Sequence, residues 1–411
     1  MSGPDGSDWG DRKATLVPSG VERPTSERQP EATEPEDEDE FDDTDEPRFF
    51  EDPKRLAQTA LFVFVVVIAI YFLLPQIAGF EDGLAKLGQG NRTWLVVAFF
   101  FGLGMFASYV ALFRGIVGER VRLTWGESYE ITMASLAATR LFSAGGAGGI
   151  VLTYWALRKA SMPRKETAAR MVAFLVVLYS VYMVTLVVNG VLLSAGVFEG
   201  PNPPGLTVVP AAFAGGVIVI FLLMALVPGD LERRFSGASQ EKWTGRTLRR
   251  LAAVPSTASV GIREAMAFVR EPRRGGIAFA GAIGFWGAQI GILWAAFHAF
   301  DAEVPLAVIV QGFFVGMFAN LLPLPGGVGG VDAGMIGAFL LFDLGIGYPT
   351  IFAAVLTYRL IAFWLPLVPG IIAFFQLRHT VQRWELERPR LQAVPAAGGA
   401  GGGAITSESK V

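Results

Sequence analysis

The chain of 411 residues contains no cysteine and two histidines, and charged residues make up 17% of it. The first absence excludes disulfides, thiolate metal sites and cysteine nucleophiles together. The two histidines, His298 and His379, stand far apart and offer no metal-ligand spacing. No HExxH and no Gly-x-x-x-x-Gly-Lys loop occurs, so a zincin-type protease is not expected, nor ATP as a direct energy source. No cofactor and no nucleic-acid partner is expected. What fills the space is apolar: hydrophobic residues are 52% of the chain and mean hydropathy is +0.45. That balance predicts an all-α polytopic membrane protein.

The net charge of -3 hides an asymmetry. Acidic residues crowd the N-terminal stretch "EATEPEDEDEFDDTDEP", while Lys and Arg gather at the ends of apolar runs. Residues 1–53 are too polar for a core and are expected to be a disordered acidic tail, not a signal peptide. Apolar runs begin at Leu56 and continue at Thr93–Phe113, Met171–Ala195, Leu206–Val227, Gly276–Phe297 and Pro349–Leu377. Each is long enough for about 30 Å of hydrocarbon. A membrane domain is therefore expected over 54–378, with a charged loop at 228–275 and a disordered tail at 379–411.

Clusters such as Arg158, Lys159, Arg164 and Lys165, and later Arg233, Arg234, Arg249 and Arg250, mark expected cytoplasmic loops. Segments 196–205 and 298–303 hold neither Lys nor Arg and are expected outside. This assignment predicts a multi-pass protein of the plasma membrane with both termini cytoplasmic. Two segments then cannot be simple crossings. "FSAGGAGGIVLTYWALRKA" lies between cytoplasmic charges, so residues 128–157 must go in and come back. "LPLPGGVGGVDAGMIGAFL" sits in a stretch, 304–346, that must return to the outside. The expected architecture is about six full spans plus two glycine-broken re-entrant hairpins entering from opposite faces, a possible inverted repeat.

The glycines Gly145, Gly146, Gly148 and Gly149 in the first segment, and Gly326, Gly327, Gly329 and Gly330 in the second, are read as allowing the reversal. Backbone of this kind is tolerated at membrane depth where it is buried in protein or lines a wet cavity. The bland alternative is close helix packing. The helices that follow the glycines offer N–H groups suited to an anion. Arg140 and Arg359 lie inside apolar segments, where charge is costly and faces a cavity or a partner. Each is a candidate phosphate ligand; the alternative is a structural ion pair with Asp332, Asp343 or Glu130. Tyr154 and Tyr358 are candidates for the border of a head-group path, with Trp155 and Trp364 as interface anchors. Asn320, Pro323 and Pro325 are expected to break the second hairpin.

The runs "TRLFSAGGAGGIVLTYWALRKA", "ANLLPLPGGVGGVDAGMIGAFLLFDLGI" and "AAVLTYRLIAFWLPLVPG" resemble the flippase-like membrane domain family, which includes the membrane half of lysylphosphatidylglycerol synthases. The resemblance covers about Leu56 to Gln376. It implies the membrane fold and a lipid-translocation role, with membrane lipids as partners. It does not imply lipid synthesis, since no soluble synthase domain is expected after Arg378. A phosphate-bearing lipid is expected, either an anionic phospholipid or a polyprenyl phosphate. An intramembrane lipid-modifying or aspartyl enzyme built on Asp332 and Asp343 is a rival, although "GGVDAG" lacks the Gly-x-Gly-Asp order. A non-transporting structural or regulatory subunit is another.

Overall fold

The computed structural model describes residues 85–117, 121, 123–141, 147–225, 261–263, 265–267, 272–321 and 329–393. The run beginning at Leu56, the N-terminal tail and most of the loop at 228–275 lie outside these residues. The described segments are helical: α1 (Arg92–Val117), α2 (Trp125–Leu141), α3 (Ala147–Lys159), α4 (Arg164–Ser194), α5 (Val208–Ala225), α6 (Pro272–Ala299), α7 (Leu306–Met317), α8 (Gly330–Leu341), α9 (Tyr348–Arg359) and α10 (Leu367–Ala393). A 3-10 turn, Phe318–Leu321, ends α7, and a π turn, Leu360–Trp364, joins α9 to α10.

Among the described residues four helical stretches are long and apolar enough to cross a membrane: Arg92–Val117, Arg164–Ser194, Gly275–Ala299 and Tyr348–Leu386. The run expected to span from Leu206 is the shorter α5, whose apolar part covers Val208–Met224. The final helix corrects one boundary. It continues past residue 378, where a disordered tail was expected, because Val381 is buried and the Trp384 indole N–H donates to Glu127 Oε1 at 2.9 Å.

Small residues set the packing. A Cβ at Gly115 would fall 2.9 Å from Cα of Ala278, one at Gly281 would fall 2.8 Å from the Ser108 carbonyl, and one at Gly291 would strike the Phe101 ring. The partners run in opposite senses, so α1 and α6 are antiparallel and in backbone contact, as small residues permit in membranes. At one end of this pair the Asn91 N–H bonds the Ala299 carbonyl. At the other, Arg114 donates to the Leu123 carbonyl just before α2, and Arg170 at the start of α4 donates to that of Ile116.

Both hairpins are traced by the same kind of contact. α2 begins where Glu127 meets Trp384, and α3 ends where Lys159 pairs with Glu385 at 2.6 Å, so the first hairpin leaves and regains the end of the bundle where α10 finishes. In the second, Gly316 faces Met335 and Gly312 faces Phe339. Phe339 in turn packs on Phe297 near the end of α6, with ring centroids 4.9 Å apart. The second hairpin thus opens at the end where α1 begins. The two hairpins enter the bundle from opposite ends, the arrangement the charge pattern predicts.

Elsewhere buried polar groups hold helices together. Asn189 on α4 donates to Gln311 Oε1 on α7 and to the Ala307 carbonyl, while Gln311 donates to the Leu206 carbonyl, each at 2.8–2.9 Å. Such groups are retained where every donor finds an acceptor.

Candidate functional site

The last helix is broken by its own sequence, "RLIAFWLPLVPG". Pro366 has no N–H, so the carbonyl of Ala362 four residues earlier loses its α-helical donor. The chain widens there into the π turn, with Leu365 N–H bonding back to the Leu360 carbonyl at 3.0 Å. Carbonyls released at a break need new partners. Arg140, at the end of α2 and therefore at the tip of the first hairpin, supplies them. Its two terminal nitrogens donate to the carbonyls of Phe363 at 2.6 Å and Ala362 at 2.7 Å.

The tip of the second hairpin reaches the same break. Gly329 has φ +79, a left-handed conformation that glycine adopts without the penalty a side chain would add. It starts α8 so that the Asp332 carboxylate accepts the Gly329 N–H at 2.9 Å through Oδ2 and approaches Nε of Arg359 at 2.8 Å through Oδ1. The guanidinium carbons of Arg140 and Arg359 lie 5.1 and 4.6 Å from the centroid of the same Phe363 ring. Two hairpin tips entering from opposite ends therefore converge on one helix break. There they assemble two cations, one aromatic ring and one carboxylate. Among the described residues no carboxylate lies in salt-bridge range of Arg140, so these four groups carry one net positive charge.

The two arginines have different partners. Arg359 is in the ion pair that the structural alternative foresaw, with Asp332. Arg140 is in none of the pairs considered: it clamps backbone carbonyls, and Glu130 instead accepts the Thr380 hydroxyl at 2.7 Å. The N-terminus of α8 is likewise not left open to an anion, since Asp332 takes the Gly329 amide. Asp343 is exposed beyond the far end of α8, a whole helix from Asp332, so the two aspartates do not form a dyad. Tyr358 is 2% exposed and donates to Gln289 Oε1 at 2.8 Å. This corrects its placement on an open path: it is a core tie between α9 and α6. Tyr154 is half-buried on α3. Asn320 is exposed in the 3-10 turn, where α7 does end. Gly148 and Gly149 belong to the first turn of α3, and Gly330 opens α8. Gly145, Gly146, Pro323, Pro325, Gly326 and Gly327 lie outside the described residues.

Gly149 serves contact as well as reversal. A Cβ there would collide with the Thr139 hydroxyl and lie 2.5 Å from the Ser135 carbonyl, so α3 rests directly on α2. Beside this contact is a cleft of about 180 Å³ that sequence reasoning missed, lying between the first hairpin, α1 and α4. One wall carries the hydroxyls of Thr132, Ser135, Thr139 and Thr153, and the other the rings of Tyr109, Phe113, Phe174 and Tyr179. Arg170 stands at the end of the cleft nearest the start of α4. At the other end the lining includes Thr139, which immediately precedes Arg140 on α2. The sequence signal was the spacing Thr132, Ser135, Thr139, hydroxyls on one face of α2.

Outside the membrane-length segments, α2 begins with a capping box, Thr124-x-x-Glu127. The Thr124 N–H donates to Glu127 Oε2 at 2.7 Å, and the Glu127 N–H donates to Thr124 Oγ1 at 3.2 Å. Burial raises the Glu127 pKa, but the Thr124 and Trp384 hydrogen bonds and the Arg383 charge outweigh it, leaving the carboxyl below its ordinary value.

Comparison with curated proteins returned no match. The profile described as lysylphosphatidylglycerol synthase TM region matches residues 28–370. That range takes in both hairpins, both arginines and the helix break between them, and the chain belongs to this family of membrane regions.

Proposed function

We propose that the protein moves a phosphate-bearing lipid between leaflets. The observation that supports this reading is the net positive charge where the two hairpin tips meet. A cation held at membrane depth costs several kcal/mol unless an anion accompanies it, and among the described residues one carboxylate serves two guanidiniums. A lipid phosphate passing the break would complete the neutralisation, and an Arg fork is shaped to receive it. Convergence of broken helices from opposite ends is also how transporters build a site that alternates between two faces. The membrane is taken to be the plasma membrane, with both termini cytoplasmic.

Dithionite quenching of fluorescent phosphatidylglycerol in reconstituted vesicles tests the function. The parent is expected to expose inner-leaflet lipid. Arg140→Gln is expected to slow this by about ten- to a hundredfold, corresponding to ~1.5–3 kcal/mol for a charge-assisted contact. Arg140→Lys, which keeps the charge, is expected to retain more. Parental rates in a well-folded Arg140→Gln protein would remove Arg140 from the path, and no movement of any phosphate lipid by the parent would overturn the function. Orientation has its own test in this cysteine-free chain: a Cys at Asn202 is expected to react with an impermeant label from outside, and one at Ser239 from the cytoplasm.

A further inference from the structure

We infer that the cleft between the first hairpin and α4 is a head-group site selecting an uncharged polyhydroxyl group, of glycerol to hexose size, esterified to the phosphate. This deepens the lipid-translocation reading and rests on it for the occupant being a lipid. The shared chemistry covers a glycerol-headed phospholipid and a sugar carried on a polyprenyl phosphate.

The lining decides the class. It contains no Asp, Glu or Lys, and its one charged residue is Arg170, whose side chain is held by the Ile116 carbonyl and lies 3.9 Å from Glu166. An ammonium-bearing head group would meet no carboxylate in the cleft and would have the Arg170 cation in its wall. A quaternary ammonium could use the aromatic wall, but it has no N–H or O–H to offer the opposite wall.

That opposite wall is made of acceptors. Thr132 spends its hydroxyl hydrogen on the Ser128 carbonyl at 2.6 Å, and Thr139 spends its own on the Ser135 carbonyl at 2.8 Å. Their remaining lone pairs need donors from an occupant. Thr153 lies 2.8 Å from both Ser135 Oγ and the Gly149 carbonyl, so when Thr153 donates to Ser135 Oγ the serine hydrogen is available to an acceptor on the occupant. A row of acceptors with a donor among them matches a polyol, whose every hydroxyl is both. At about 180 Å³ the cleft has room for a group of glycerol to hexose size. The phosphate would then lie toward Arg140.

The test is lipid retention by native mass spectrometry of the full chain, with equimolar phosphatidylglycerol, phosphatidylethanolamine, phosphatidylcholine and phosphatidic acid, and in a second arm a polyprenyl phosphate with and without its sugar. The parent is expected to retain the polyol-headed lipid at least about fivefold over the ethanolamine and choline lipids. The arm showing the stronger preference identifies the source. Thr132→Val with Thr139→Val keeps shape and removes the acceptors; it is expected to bring this ratio near one while leaving phosphatidic acid retention unchanged. Thr132→Ser with Thr139→Ser keeps the hydroxyls and is expected to keep the preference, which separates recognition from packing. Equal or greater retention of an ammonium lipid by the parent, or an undiminished preference in the folded valine variant, would overturn the inference. A selective parent that moves no lipid in vesicles would overturn the translocation reading and leave the site standing.

Discussion

In the first hairpin α3 lies on α2 through hydroxyls, with Thr153 on Ser135 and Gly149 set against Thr139 and the Ser135 carbonyl. In the second, α8 lies on α7 through glycines and aromatics, with Gly316 so close to Met335 that a Cβ there would fall 2.7–2.8 Å from the Met335 backbone, and Gly312 under the Phe339 ring. Both deliver a charged side chain to the break in the last helix. The first leaves a polar-walled cleft beside it. The second is closely packed, and its effect is to hold Asp332 against Arg359. One backbone device thus serves two ends, because glycine governs only how closely helices approach, while the residues around it decide whether the contact is wet or dry.

The comparison is broken most strongly at Asp332. Asp332→Asn would leave Arg359 without its carboxylate, while the amide Oδ1 can still accept the Gly329 N–H; a loss of about 3–5 kcal/mol is expected for breaking a buried ion pair. It would be read as a large fall in the melting temperature in detergent. Pairing it with Arg359→Met should recover part of the loss, and additivity of the two changes would show that the pair is not coupled.

Next in size is the dry contact itself. Gly316→Ala is expected to cost about 1–3 kcal/mol, because its Cβ meets backbone that must move. Gly337→Ala, on the same hairpin with nothing within 4 Å, is expected to stabilise by up to about 1 kcal/mol. Equal melting temperatures for these two variants would show that the glycines do not set the approach of α7 and α8.

The smallest effect lies at the base of the first hairpin. Glu127 is held as a carboxylate by Thr124, Trp384 and Arg383, so its folded pKa is below the unfolded one. Its stabilisation is present above the ordinary carboxylate pKa of about 4.3 and is lost as pH falls through the folded value. The melting temperature of Glu127→Gln is therefore expected below the parent's at pH 7, with the gap closing on acidification below about pH 4. A gap independent of pH would mean that the carboxylate charge is not what ties α2 to α10.

Much of the frame was legible beforehand. The apolar runs from Thr93, Met171, Gly276 and Pro349 all became helices, because membrane-length runs carry their signal locally, although the second begins earlier, at Arg164, and the last continues to Ala393. The glycine clusters and the basic loops located two hairpins on opposite ends. The capping box at Thr124 and the missing N–H of Pro366, which the sequence reading did not single out, are equally local features, one marking the start of α2 and the other the break. What stayed illegible was who answers that break. Arg140 and Ala362 are 222 residues apart, and nothing in either neighbourhood names the other. Tyr358 looked like a path residue, yet it is 2% exposed and donates to Gln289 on α6, a contact nothing local to it announces.

By itself, then, the sequence determined that this protein is a bundle of apolar helices with two glycine-broken returns and a pair of costly interior arginines, because hydropathy, chain reversal and charge placement are properties of short segments read against the bilayer. Only the tertiary structure decided that Arg359 has a carboxylate and Arg140 has carbonyls, that both tips meet at Phe363, and that hydroxyls and rings face each other across a cleft. Those facts depend on which helix faces are brought together, and packing between segments far apart in the chain fixes that.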